Sequence, residues 1–180
     1  MKTINNKLIR SLTPCYDPSR YIKDEVETLT ILDWLNKYRG IVPDKDITWL
    51  LCHEEFLSEK DLRLFAVWCA REVLKLVDNP DSRSIEACNV AERYANGAAT
   101  DMQLKAAADD AADADDSYAA DAAIYVADYY ADVAAFYAAD AAAYFAANYY
   151  ADVVATYAAY FAAYLAAHTK QLDKLLTYFK

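Results

Sequence analysis

Apolar and polar positions follow a helical rhythm through the first half of the chain, interrupted by ordinary helix breakers. The run from Asp24 carries Val26, Leu29, Leu32 and Leu35 at three-residue spacing and stops at Gly40 before Pro43, which predicts a helix. A short helix fits residues 44–52. Ser58 is positioned to cap the strongest amphipathic stretch, where Leu62, Phe65, Ala66, Cys69, Val73 and Leu76 make one stripe that "DNP" at 78–80 terminates. Ser82 or Ser84 opens another helix with Ile85, Val90 and Tyr94 among its apolar residues. Gly97 stands where a left-handed cap would end it.

The pattern changes after Thr100. "TDMQ" at 100–103 fits a capping box, and neither glycine nor proline follows through to Lys180. Alanine, the best helix former, supplies 29 of the 62 residues from 106 to 167, so helix is close to compelled. It occupies every fourth position from Ala119 to Ala167, 13 times in succession. Each four-residue step advances about 40° beyond a full turn, so the alanine stripe winds around the helix and the aromatic residues wind with it. A two-stranded coil following that stripe would need a pitch of about 50 Å, against about 140–210 Å in ordinary coils, which argues against a simple dimeric coil. Two arrangements stay open. One is long helices contacted by different neighbours along their length, which the missing turn residues favour; unbroken from 101 to 179, such a helix would be about 120 Å long. The other is a folded-back bundle bending at "DADDS" (113–117) or at Asn148.

The expected fold is therefore all-α. A compact helical domain over 1–97 is followed by an Ala/Tyr/Asp-rich helical extension over 98–180, with a tetrapeptide-like repeat.

Charge divides the chain at the same place. Basic against acidic residues number 14 to 16 over 1–100, 1 to 11 over 101–168 and 3 to 1 over 169–180, so the net charge of −10 resides in one segment. All three tryptophans lie before it, and 11 of 16 tyrosines lie between 118 and 164. Cys15, Cys52, Cys69 and Cys88 are far apart, with no Cys-x-x-Cys pair, and read as reduced core thiols. The N-terminal stretch lacks a signal-peptide core, and the longest run free of charged residues and histidine, 153–167, is 15 residues, short of a membrane span. The expectation is a cytoplasmic protein of a host cell without membrane association.

Candidate chemistry is sparse. Two glycines, Gly40 and Gly97, cannot supply a P-loop or a three-glycine dinucleotide turn. His53 beside Cys52 lacks zinc-finger spacing to Cys69 and Cys88, and "HEEF" at 53–56 lacks a second histidine, which leaves Glu54 and Glu55 as a solvated turn. His168, ending the apolar run, reads as a helix-end residue favoured by the dipole. No catalytic residue, cofactor or metal is expected, and the chain reads as a non-enzyme. Direct nucleic-acid binding is disfavoured, because residues 106–169 contain no Lys or Arg to neutralise phosphate.

The segment "DLRLFAVWCAREV" (61–73), followed by "SRSIEACNVAERYANGAAT" (82–100) and an alanine-aromatic stretch, resembles a group of alanine-rich helical proteins of phages, prophages and bacteria. Some of these are labelled immunity proteins. The resemblance covers roughly residues 55–167 and implies a mobile-element origin and its conflicts with hosts; it carries no catalytic residues across.

These readings converge on a non-enzymatic protein-binding protein of a mobile element, a counter-defence or immunity-type inhibitor. It would engage a host or rival protein through an acidic, tyrosine-rich helical surface. The candidate partner-binding residues are Asp109, Asp110, Asp113, Asp115, Asp116, Asp121, Tyr125, Asp128, Tyr129, Asp132 and Tyr137. A homo-oligomer is expected, because residues 141–168 carry only Asp152 as a charge. Two alternatives stay open: a structural self-assembly helix, and a DNA-mimic inhibitor whose carboxylates compete for a basic groove. The aspartates that merely solubilise an apolar helix are the plainer reading.

Overall fold

The computed structural model describes residues 2–14, 16–23, 26–114, 136, 139 and 153–179. The chain is mainly α-helical, with one two-stranded sheet among the described residues. Strand β1 (Thr3–Ile4) leads into α1 (Asn6–Ser11), whose cap Asn5 accepts the Leu8 N–H. A 3₁₀ turn at Pro18–Arg20 follows, and β2 (Leu29–Thr30) pairs antiparallel with β1, Ile4 opposite Leu29.

Thr30 leaves that strand and caps α2 (Ile31–Tyr38) by accepting the Asp33 N–H. The helix expected from residue 24 therefore begins later, with a different face inward. Val26 is 88% exposed, Leu29 belongs to the strand, and the buried face is Ile31, Trp34, Leu35 and Tyr38. Three-residue spacing alone does not distinguish a strand-to-helix junction from a longer helix, and here the Thr30 cap decides. Asp24 lies outside the described residues.

Gly40, at φ +85°, then turns the chain so that the N–H groups of Ile41 and Val42 both donate to Tyr38 O. Helix α3 (Asp44–Leu51) matches its expected span, and Ser58 caps α4 (Glu59–Leu74) by accepting the Asp61 N–H at 3.1 Å. The α4 stripe is buried from Leu62 to Val73, whereas Leu76 lies beyond the helix and is exposed. Helix α5 (Ser82–Ala95) is capped by Asp81, ahead of both serines. Its carboxylate accepts the Arg83 N–H at 2.8 Å and also holds the Arg83 guanidinium, which a serine hydroxyl cannot match. The helix ends in a Schellman motif: Gly97 is at φ +73°, its N–H donates to Tyr94 O, and the Ala98 N–H donates to Arg93 O at 2.7 Å.

The Thr100 capping box is complete, with the Gln103 N–H donating to Thr100 Oγ1 and the Thr100 N–H donating to Gln103 Oε1. Helix α6 (Asp101–Ala112) stops at Asp113, so an unbroken helix over 101–179 does not form; the chain leaves helix where "DADDS" begins. Helix α7 (Val153–Leu175) ends in a 3₁₀ turn, Leu176–Phe179. Asn148 and most of the alanine stripe lie outside the described residues.

The core does not end at Gly97. Trp34, Ile47, Leu50, Leu51, Leu62 and Phe65 form its centre, and Leu104, Ala107 and Ala111 of α6 join it, as do Leu172 and Leu175 of α7. The spacings 104, 107, 111 and 168, 171, 172, 175 are each one helical face turned inward. Helix α7 packs on α3 and α4. Asp173 pairs with Arg39, Thr169 Oγ1 donates to Asp44 Oδ2 at 2.7 Å, and Lys170 pairs with Glu72.

Candidate functional site

Helix α6 carries the described part of the acidic candidate surface. Because Leu104, Ala107 and Ala111 face the core, Asp109, Asp110 and Asp113 are turned outward and exposed. A relay of contacts fixes the start of that helix. Buried Arg63 of α4 lies 4.7 Å over the Tyr94 ring of α5, and the Tyr94 hydroxyl donates to Asp101 Oδ1 at 2.6 Å. That hydrogen bond raises the Tyr94 pKa. Arg71 of α4 reaches across to Glu92 at 2.6 Å and Asn89 at 3.2 Å on α5, and its guanidinium holds the Glu92 carboxyl below its usual pKa. Three helices thus support a row of carboxylates on a defined helical face.

Asp110 also borders a groove of about 560 Å³ between α5 and α6, with Arg83, Glu86, Arg93 and Gln103 among its walls. The arginines there are engaged close to their own helix, Arg93 with Glu86 at 3.0 Å and Arg83 with Asp81 at 2.6 Å. The groove is consequently mixed in charge. Asp115, Asp116, Asp121, Tyr125, Asp128, Tyr129, Asp132 and Tyr137 lie outside the described residues.

A second groove, of about 280 Å³, opens between α4 and α7 and is not legible as a site in the sequence. Trp68 and Leu76 form one wall, Ala163, Ala166 and Ala167 the other, and Lys170 stands at the rim with its ammonium 5.8 Å from the Trp68 ring centroid. Glu72 accepts hydrogen bonds from both Lys170 and Lys75. Burial opposes ionisation of Glu72, yet these two ammonium groups outweigh it and lower the carboxyl pKa. The one signal in the sequence is the pair Trp68 and Glu72, four residues apart on the flank of the α4 stripe.

Both histidines and the three described thiols are packed among the helices. His168 is not at a helix end: it sits well inside α7, which continues to Leu175, and it is 5% exposed. The apolar run stops at Ala167, but the helix persists because Leu172 and Leu175 have a core to enter. Burial foremost, then the nearby Lys45, pushes the His168 pKa down to about 4, with Gln171 and Asp44 offsetting part of the shift. His53 Nδ1 lies 2.9 Å from Trp49 O, and donation to that carbonyl helps satisfy the end of α3. Cys52, Cys69 and Cys88 are buried, and burial pushes the Cys69 thiol well above its usual pKa, so it stays protonated and unreactive. Cys15 is not among the described residues. No group of three His, Cys, Asp or Glu side chains among those residues is arranged to hold a metal ion, and no helix among them is long and apolar enough to cross a membrane.

No known family, curated protein or solved structure matches the chain.

Proposed function

We propose that the chain is a non-enzymatic, protein-binding protein of a mobile element, an inhibitor of the counter-defence or immunity type acting in the cytoplasm of a host cell. Its partner is a host or rival protein, engaged through the acidic face of α6 and the tyrosine-rich segment that follows. The observation that carries this reading is the outward pair Asp109 and Asp110 on α6, continued by Asp113 at its C-cap, on a helix whose opposite face is built into the core. Ordered carboxylates on a supported helix lose little conformational freedom on binding, unlike those on a loose acidic tail. Pull-down from host lysate with the full chain, against a variant with Asp109, Asp110, Asp113, Asp115, Asp116 and Asp121 changed to Asn, is the test. A specific partner captured by the parent and lost by the variant supports the reading; capture of chaperones alone by both sinks it.

The same three exposed aspartates favour one particular form of this function, mimicry of a phosphate row. Such a partner is a DNA-binding protein whose basic groove the helix occupies, and its affinity falls steeply with salt. Competition with duplex DNA for the captured partner separates this form from other protein binding.

A further inference from the structure

The groove between α4 and α7 is apolar on its walls and positive at its rim. Its alanine wall lets a helix backbone approach closely, and the indole of Trp68, stacked on Phe65, lines the facing wall. Glu72 is one carboxylate shared by two ammonium groups, Lys75 and Lys170, so one positive charge is left over at the edge. The matching ligand is an aromatic ring with a carboxylate one helical turn away. This chain contains that element five times: Tyr-x-Ala-Asp at 118–121, 125–128, 129–132, 137–140 and 149–152. Residues three apart share one face of a helix, so a helical Tyr-x-Ala-Asp element presents its ring and its carboxylate together.

We propose that the α4–α7 groove binds a Tyr-x-Ala-Asp element of a second copy of this chain, the ring entering between Trp68 and the alanines and the carboxylate meeting Lys170 and Lys75. A second copy also accounts for the apolar surface beside the groove, where Leu165 is 64% exposed on the same helix next to exposed Ala162 and Ala166. Groove and element are different surfaces, so the contact is head-to-tail and one copy offers several elements to several grooves. The inference shares the tyrosine-rich segment and Asp121 with the partner-protein reading above, but Ala166→Phe and Lys170→Glu leave the acidic face of α6 untouched, so the two readings fail separately.

Sedimentation velocity of the full chain over a micromolar concentration series tests it. The parent is expected to form oligomers. Ala166→Phe, which fills the groove, and Lys170→Glu, which reverses its rim, are each expected to weaken association roughly tenfold or more with helicity unchanged. Changing Asp121, Asp128, Asp132, Asp140 and Asp152 to Lys does the same alone, and restores association when combined with Lys170→Glu. If Ala166→Phe fails to fold, Lys170→Glu, at an exposed position, carries the test. A strictly monomeric parent overturns the proposal, as does association that survives Lys170→Glu or is not rescued by the charge swap.

Discussion

His168 packs edge-on against Tyr164 with ring centroids 4.6 Å apart, buried on α7 with the Gln171 side chain as its polar neighbour. Burial makes the neutral imidazole the favoured form. Asp44 and Lys45 face it from α3, Tyr164 and Gln171 from α7, and the Lys45 charge adds to burial in opposing protonation.

The folded pKa of about 4 lies below the ordinary 6.5, so as pH falls the unfolded chain takes up this proton first. The stability that the neutral ring contributes is whole above pH 6.5 and drains away between 6.5 and 4, by about 3 kcal/mol. Urea unfolding at pH 7 and pH 4.5 measures this loss. His168→Phe should flatten it; an undiminished slope in that variant assigns the loss to other groups.

Leu172 and Leu175 are fully buried at the seam between α7 and the rest of the core. Each, changed to Ala, should cost about 2–5 kcal/mol of stability. Leu165→Ala, at an exposed position of the same helix, should stay within about 0.5 kcal/mol at concentrations where the chain is monomeric. Chemical denaturation of the three variants reads the contrast.

Gly97 has open space on the side where a Cβ would stand, with nothing within 4 Å, so its role is conformational alone. Gly97→Ala should destabilise by about 1–2 kcal/mol through the left-handed backbone, and Gly97→Asn by less. Thr100→Ala, which removes one half of the capping box, should cost about 1 kcal/mol. Thermal melts of the three variants rank them.

Exposed aspartates make a separable prediction. Asp109→Asn, Asp110→Asn and Asp113→Asn together should leave stability within about 0.5 kcal/mol per site while weakening partner capture, and the residual binding should depend less on salt. Capture at parental strength would leave these carboxylates with a solubilising role only.

Much of the helical frame is readable in the sequence because local chemistry and tertiary packing agree there. Ser58, Thr100 and Gly97 act as their sequence context indicates, since a cap is a short-range device. Thr30 and His168 escape such a reading for one reason: each is governed by a residue distant in the chain. Thr30 is taken into a strand by Thr3, and His168 is covered by α3. The α4–α7 groove is hidden likewise, because Trp68 and Ala166 become neighbours only when the end of the chain folds back. The acidic row is legible from the charge count, while its outward orientation requires the α6 stripe to be seen in its core.

That fold-back sets a timetable for the molecule as it is made. Arg39 and Asp173 are 134 residues apart, and at the usual rate of synthesis the second emerges roughly 7–27 s after the first. During that interval the earlier helices stand with the places for Leu172 and Leu175 unfilled, and the apolar surface that α7 will cover is open to whatever is near the ribosome. Slow codons or a scarce tRNA in the alanine-rich tract would lengthen the exposure. Chaperone demand should therefore follow the speed of translation through residues 106–167 more closely than the stability of the finished fold.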